Sequence, residues 1–217
     1  MVPLIALYPK RDIDATTRPA SLVVMIRARA VPTKRWTRVQ YERAIECGIF
    51  RDDERLELLD GVLVVKEPQG RPHAAAIDLV ADALRRAFGQ GWLVRQQVHF
   101  ASGPMSRPEP DVYVVPGSPR DYLRSDPTRP VLIVEVSQSR LRFDRRRKSA
   151  IYARAGVLDY WIVNLVDSVV EVRRDPGRLA GPPRAWGYAS VESFRAPAVI
   201  TPLAAPDARV GVADVLP

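Results

Sequence analysis

The sequence predicts an α/β domain built around a buried sheet, and three segments carry this prediction. Residues 73–88 place apolar side chains three and four positions apart, as in a helix that packs one face against a sheet. Residues 131–136 (VLIVEV) form an apolar run interrupted by one carboxylate, which is typical of a strand buried on both faces. Residues 144–155 then predict a second helix, with Asp144 at or near its N-cap and Gly156 just past its end.

The chain before the long helix predicts an arm, a short helix and a hairpin. Residues 1–34 carry scattered Pro, Arg and Thr with one strand-like run at 21–26, so we place the domain at residues 35–217. A short helix at 37–47 follows, capped by its first threonine. Residues 55–66 contain two β-prone runs about an Asp-Gly dipeptide, which accepts the positive φ angles of a tight hairpin turn.

Further strands are predicted on both sides of the buried run. Residues 92–98 and 111–115 are β-prone and are separated by a proline-rich loop, so Asp111 opens a strand. Residues 157–163 and 169–172 predict two more strands, joined by a short Asp-Ser turn. The tail beyond residue 175 is rich in proline and glycine, and we expect it to wrap the sheet as edge structure, with weak strand signals near 188–191, 198–200 and 210–212.

Charge and cysteine content narrow the classes of partner. Lys and Arg outnumber Asp and Glu by 33 to 25, a formal charge of +8, which favours a polyanion such as nucleic acid. An arginine-rich, GC-biased proteome would explain the same excess. The single Cys47 excludes an intramolecular disulfide and a cysteine zinc cage, so any metal must have oxygen ligands. Without a long apolar run or a secretory h-region, we expect a cytoplasmic protein with no membrane partner.

Three polar residues suggest a metal site. Asp111 begins a strand, Glu135 lies near the end of the buried run, and Lys148 lies on the following helix. A buried carboxylate such as Glu135 needs a metal, a cation or a proton. Two carboxylates on neighbouring strands can hold a hard divalent cation such as Mg²⁺, and a nearby ammonium can orient or activate the attacking water. The alternative is three unrelated residues with no common site.

The segments around these residues resemble the Uma2 (DUF820) family, which is assigned to the restriction endonucleases of the PD-(D/E)xK superfamily. The resemblance spans residues 37–217 and is carried by RPEPDVYVV (107–115), VLIVEVSQS (131–139) and DRRRKSAIYARAGVLDYWIVN (144–164). The hairpin RLELLDGVLVV (55–65), the following segment 68–76 and the ending at 200–217 are also similar to that family.

This resemblance implies a restriction-endonuclease-like fold with a central mixed β-sheet flanked by helices. It also implies hydrolysis of DNA phosphodiester bonds, with Mg²⁺ (Mn²⁺ as a substitute) held by Asp111, Glu135 and the backbone carbonyl of Val136. In the commonest form of the motif the lysine lies two residues after the glutamate, where this chain has Ser137. The resemblance instead assigns that role to Lys148. Related nucleases often act as homodimers, and we expect the same here.

Further residues are candidates for supporting roles. Glu57 could extend the metal site, or it could be a strand-surface glutamate. Tyr152 lies four residues after Lys148 and could share its cleft, or it could pack its ring against the sheet. His73 could touch phosphate or water, although an isolated histidine is more often a cap or a core residue.

A basic run next to Lys148 is a candidate for DNA backbone binding. Contacts from Arg145, Arg146 or Arg147 to DNA phosphates would each add salt-sensitive affinity for DNA. The alternative is a solvated helix face, which is the usual setting of such charge runs. Arg107 and Arg140 are further candidates.

Two other functions compete with the nuclease prediction. One is a catalytically inactive nucleic-acid or partner-binding module on the same fold, and the other is hydrolysis of a different phosphorylated substrate.

Overall fold

The computed structural model describes residues 33–51, 53–66, 68–180 and 185–217. The predicted arm up to residue 32, including the run at 21–26, lies outside these ranges. Lys34–Pro217 forms one compact unit. The division of the chain at residues 34 and 35 stays a prediction.

The described chain begins with the predicted helix and hairpin. Helix α1 (Arg38–Glu46) starts with a capping box in which Thr37 and Gln40 bond each other's backbone N–H groups. Strands β1 (Leu56–Leu59) and β2 (Val62–Val65) form the hairpin. The φ angles of Asp60 and Gly61 are 50° and 76°, so both turn residues are left-handed, as a two-residue turn requires. This part of the prediction is confirmed.

The hairpin is a separate two-stranded sheet that docks against the loop before the fourth strand. The Arg107 N–H donates to the Leu58 carbonyl at 2.8 Å, and the Gly61 N–H donates to the Met105 carbonyl at 2.7 Å. A side chain at Gly61 would have no room, because its Cβ would lie 2.7 Å from the Cβ of Arg35 and 2.8 Å from the Cε of Met105. The tip of the hairpin is therefore fixed by close backbone packing.

Six strands form the central sheet. In spatial order they are β3 (Trp92–Gln96), β4 (Val112–Pro116), β5 (Leu132–Ser137), β6 (Asp159–Asn164), β7 (Val169–Arg178) and β8 (Trp186–Phe194). Strands β5 and β6 are parallel, and every other neighbouring pair is antiparallel. The predicted mixed sheet is thus confirmed. All six residues of β5 are buried, as expected for a central strand.

Among the described residues, one helix packs on each face of the sheet. Helix α2 (Arg71–Phe88) packs an apolar stripe on one face, where Val80 and Leu84 share a core cluster with Val112 and Val134. The other face carries helix α3, one continuous helix in three segments, Leu141–Phe143, Asp144–Lys148 and Ser149–Arg154. The core beneath α3 is rich in aromatic side chains, which include Phe100, Tyr113, Tyr152, Tyr160 and Tyr188.

The start of α3 corrects the prediction that Asp144 lies at or near the N-cap of this helix. The helix begins before Asp144, because the Arg140 carbonyl already accepts the N–H groups of Phe143 at 2.7 Å and Asp144 at 3.1 Å. Asp144 is therefore inside the helix and is buried rather than serving as its N-cap. The segment Asp144–Lys148 has π geometry, which is found mostly as single turns within α-helices and often at functional sites.

The tail differs in part from the expected edge structure. β8 is an edge strand of the central sheet, as predicted. However, β9 (Val199–Ile200) and β10 (Val210–Gly211) pair with each other instead of extending the sheet. Their buried residues Ile200 and Val210 join the core beneath α2.

Within the described ranges, no helix is both long enough and apolar enough to span a bilayer.

Candidate active site

Asp111 and Glu135 meet at the end of the central pair of strands. The antiparallel register pairs Val112 of β4 with Val134 of β5, so continuing it by one residue places Asp111 opposite Glu135. Residues that face each other across an antiparallel pair have Cβ atoms about 4.5–5.5 Å apart. Both carboxylates are buried, with 4% and 2% of each residue exposed. Side chains that lie 24 positions apart in the sequence therefore share one end of the sheet.

The Asp111 carboxylate is held by backbone and imidazole contacts. Its Oδ2 accepts the Val136 N–H at 2.9 Å and lies 3.3 Å from Nε2 of His73. Burial acts to raise the pKa of Asp111, but the His73 contact and the charges of Lys148 and Lys66 outweigh it and lower the pKa. This carboxylate is therefore ionised at neutral pH.

Glu135 is bound by two groups of helix α3. Its Oε1 accepts hydrogen bonds from Nζ of Lys148 at 2.9 Å and from the hydroxyl of Tyr152 at 2.5 Å. Burial raises the pKa of Glu135 to about 8, and the ammonium of Lys148 offsets only part of that rise. The neighbouring carboxylates of Asp111, Asp144 and Glu57 contribute to the same rise. The cation that a glutamate inside VLIVEV was expected to need is thus Lys148.

Lys148 points into the cleft. Its ammonium lies 2.9 Å from Oε1 of Glu135 and 3.7 Å from Oε1 of Glu57, and only 6% of the residue is exposed. Burial acts to lower the pKa of Lys148, but the surrounding carboxylates raise it well above its ordinary value. These carboxylates belong to Glu135, Glu57, Asp144 and Asp111. Four acidic side chains thus act on the Lys148 ammonium and hold it in its charged form.

Sequence reasoning missed two charged residues among those described in the cleft lining, Asp144 and Lys66. Asp144, Lys148 and Tyr152 lie four residues apart and are all buried, so this stripe on one helix was the signal that could have identified Asp144. Lys66 follows the hairpin, and its Nζ donates to Oε1 of Glu109 at 2.8 Å and to the Glu109 carbonyl at 3.0 Å. No sequence pattern indicated the position of Lys66.

The three supporting candidates all reach this cluster. Glu57 is buried rather than on the strand surface, and its Oε2 accepts the Glu109 N–H at 3.3 Å. Tyr152 fulfils both alternatives, because its ring packs in the aromatic core while its hydroxyl binds Glu135. His73 lies in the first turn of α2, with Nε2 2.8 Å from the carbonyl oxygen of Val136.

The arginines are dispersed, and several make contacts within the protein. Arg145 forms an ion pair with Glu171, with its Nε 2.9 Å from Oε1. The Nη2 of Arg147 donates to the carbonyl of Leu59 at 2.9 Å. Arg107 pairs with Asp126 at 2.7 Å, whereas Arg146 is exposed and Arg140 lines the cleft. Of the five predicted DNA contacts, Arg140 is the one that borders the acidic cluster.

The family match covers most of the chain. A model of the family described as "Uma2: Putative restriction endonuclease" matches residues 39–211. The chain belongs to the Uma2 family. This match agrees with the motifs at Asp111, Glu135 and Lys148, which all lie inside the matched region.

A solved structure supports the fold of this Uma2 protein. It is described as a "putative nuclease belonging to DUF820" from Anabaena variabilis and has a TM-score of 0.61. The two chains share 18% identity, and the match covers 83% of this chain and 97% of the other. At this identity the likeness shows the fold alone. No protein in a search of curated proteins matches.

The donor atoms at the cleft fit a hard divalent cation only if a backbone group takes part. Within the described part of the chain, no three side chains of His, Cys, Asp or Glu are grouped so that they could hold a metal ion. The carboxylates of Asp111 and Glu135 and the carbonyl of Val136 supply oxygen donors, which Mg²⁺ prefers. Four acidic side chains line the cleft beside the ammonium groups of Lys66 and Lys148, and this excess of acidic groups favours binding of a cation. The residues therefore fit the predicted cation.

Proposed function

We propose that this Uma2 protein is a Mg²⁺-dependent DNA endonuclease that hydrolyses phosphodiester bonds at the cleft between β4, β5 and α3. The main support is the placement of Asp111 opposite Glu135, with Lys148 bonded to Glu135. In a protein of a family described as restriction endonucleases, this is a suitable arrangement for hydrolysis of a phosphate ester. Mn²⁺ is expected to replace Mg²⁺.

Asp111, Glu135 and the carbonyl of Val136 are the proposed metal ligands. A bound divalent cation would supply the Lewis acid that offsets negative charge on the scissile phosphate. The ionised carboxylate of Asp111 is ready to bind a cation, since its pKa is already lowered. The N–H of Val136 orients that carboxylate by holding its Oδ2.

Lys148 is the proposed group that orients the attacking water. An ammonium donates hydrogen bonds, so Lys148 can hold the water oxygen or a phosphate oxygen beside the carboxylates. In the reaction, the water oxygen bonds to phosphorus while the bond from phosphorus to the 3′ oxygen breaks. The proton lost by water passes to solvent or a cleft base, and the 3′ oxygen gains a proton as it leaves. The products then carry 5′-phosphate and 3′-hydroxyl ends.

Positive charge supports DNA as the substrate. The chain carries a formal charge of +8, and Arg140 borders the cleft. Because Arg140 lines the cleft beside the predicted metal ligands, we assign the main backbone contact to it, with exposed Arg146 as a second contact. We also propose that the protein is cytoplasmic and acts as a homodimer. The exposed free thiol of Cys47 is compatible with a reducing compartment.

The test is incubation of the purified protein with plasmid, linear and single-stranded DNA in Mg²⁺ or Mn²⁺. Asp111→Asn and Lys148→Ala should lose cleavage, because they remove a metal ligand and the water-orienting ammonium. Matched controls are Asp82→Asn, on the exposed surface of α2, and exposed Lys34→Ala, and both should cleave like the parent.

Absence of cleavage by the parent protein with either metal would contradict the nuclease proposal. DNA binding without cleavage would instead support the inactive binding module. Equal cleavage by Asp111→Asn would place the active site elsewhere.

A further inference from the structure

His73 faces two oxygen atoms of the proposed metal site. Its Nε2 lies 2.8 Å from the carbonyl oxygen of Val136 and 3.3 Å from Oδ2 of Asp111. The imidazole is partly buried, with 17% of its side chain exposed, and it lines the cleft. Thus one ring nitrogen approaches both the backbone donor and the carboxylate donor of the predicted site.

The two distances from Nε2 of His73 are compatible with octahedral coordination. Ligands at about 2.1 Å from a metal, the distance typical of Mg²⁺, lie about 3.0 Å apart when they occupy adjacent corners of an octahedron. The two measured separations, 2.8 Å and 3.3 Å, lie on either side of that value. Small shifts would allow a single ion to contact all three atoms.

The chemistry of the contact also favours a shared cation. Carbonyl and carboxylate oxygens are both acceptors, whereas Nε2 of His73 can direct at most one N–H toward them. The single N–H of Nε2 is therefore shared unequally between the Val136 carbonyl and the Asp111 carboxylate. A metal ion would satisfy both oxygens and would use the lone pair of Nε2 at the same time.

We infer that His73 is itself a metal ligand, binding through Nε2 beside Oδ2 of Asp111 and the carbonyl of Val136. The inference rests on the metal site of the proposed function and adds a nitrogen donor beside Asp111 and the carbonyl of Val136. Because the described residues hold no ready group of three His, Cys, Asp or Glu side chains, Glu135 must turn from Lys148 and Tyr152 to join these ligands. Imidazole binds transition metals better than it binds Mg²⁺. The site should therefore prefer Mn²⁺ or Co²⁺ to Mg²⁺, and His73 should cause that preference.

The chain provides a matched control, because it contains two histidines and the other one is His99. His99 is also partly buried, with 17% of its side chain exposed, but its Nδ1 contacts Glu109 at 3.2 Å instead of Asp111. His99→Gln therefore makes the same chemical change away from the predicted ligands. If His99→Gln retains the signal, an imidazole nitrogen bound to the metal must come from His73.

The experiment is pulsed electron paramagnetic resonance of the full-length protein with one equivalent of Mn²⁺. The parent and His99→Gln should show modulation from an imidazole ¹⁴N, and His73→Gln should lack it. Labelling the parent with ¹⁵N-histidine should change that modulation to the ¹⁵N pattern, which tests the ligand without any substitution. By titration calorimetry, Mn²⁺ affinity should fall at least ~10-fold in His73→Gln, and Mg²⁺ affinity should fall less.

The outcomes separate this inference from the proposed function. Bound Mn²⁺ without nitrogen modulation in the parent would overturn the role of His73 while leaving an oxygen-ligand nuclease intact. Modulation that persists in His73→Gln would also overturn it. Failure of the parent to bind Mn²⁺ would overturn both proposals. Nitrogen modulation in a protein that cleaves no DNA would support His73 and contradict the nuclease.

Discussion

The two faces of the central sheet are built from different side chains. Beneath α2 the core is almost entirely aliphatic, as at Val80 and Leu84. Beneath α3 the aromatic core is continuous with an ionic cluster, because Tyr152 of that core binds Glu135. The comparison indicates that the α2 face mainly stabilises the fold, although it includes buried Asp159, whereas the α3 face holds the acidic cluster of the cleft, whose desolvation opposes folding. Substitutions on the two faces should therefore separate activity from stability.

The largest expected effect is loss of activity on the α3 face. Lys148→Met keeps the length of the aliphatic stem but removes the ammonium, so cleavage should fall by ~10²–10⁴-fold. The folded structure should persist, because Glu135 can take up a proton when its cation is lost. Cleavage rates and circular dichroism of the variant, beside Lys34→Met, test both statements. Loss of the fold together with activity would instead assign Lys148 a structural role.

The next effect is a loss of stability on the α2 face. Leu84 is fully buried, and Leu84→Ala should lower the free energy of unfolding by about 2–5 kcal/mol. Leu79 on the same helix is 37% exposed, so Leu79→Ala should cost much less. Denaturant titrations measure this difference. Cleavage per folded molecule should remain at the parental level in both variants, and a large fall would show that the faces are not independent.

A smaller effect is the pH dependence of stability without metal. The pKa of Glu135 is raised from 4.5 to about 8 on folding, so the folded state binds the extra proton. Its contribution to stability is therefore complete below about pH 4.5 and is lost as pH rises to about 8. Thermal unfolding in a chelator should show this decline between pH 5 and 8, and Glu135→Gln should make the profile flatter.

Glu171 provides the control for that measurement. It is a buried glutamate of β7, but its pKa is lowered, because Arg145 and Arg173 outweigh the effect of burial. Its contribution is lost as pH falls below its ordinary pKa, which is outside the window from pH 5 to 8. Glu171→Gln should therefore keep the parental slope. An unchanged slope in Glu135→Gln would mean that another group binds the proton.

The smallest effect concerns DNA affinity. Arg140→Ala should weaken binding and reduce the slope of log affinity against log salt by about 0.9, the value for one phosphate contact. Arg145→Ala should change the slope little, because Arg145 is paired with Glu171. Fluorescence anisotropy in Ca²⁺, at several salt concentrations, compares the two variants. A larger change for Arg145 would show that its ion pair opens on DNA.

Much of the fold could be predicted because local signals and tertiary structure agree. The Asp60-Gly61 turn has the geometry its residues favour, and the apolar run around Glu135 is a buried strand. Asp144 was predicted wrongly, because an acidic residue before a helical pattern usually caps it. Here the helix starts earlier, and the side chain lies inside a π segment.

The contacts within the candidate site were harder to predict than its members. The register that places Asp111 opposite Glu135 depends on how β4 and β5 pair, and this is not encoded by the spacing of those residues. Similarly, Arg147 belongs to a charge run that suggests a solvated face, yet it donates to the carbonyl of Leu59, 88 positions away. Such partners depend on the packing of the hairpin against α3.

The docking of the hairpin gives one glycine an influence beyond its own turn. Gly61 meets Arg35 and Met105 at distances that leave no space for a methyl group, while the strand before it carries Glu57 into the cleft. A substitution there would move a carboxylate of the ionic cluster without changing any side chain that forms it. A genetic screen for inactive alleles should therefore recover changes at Gly61 together with those at Lys148.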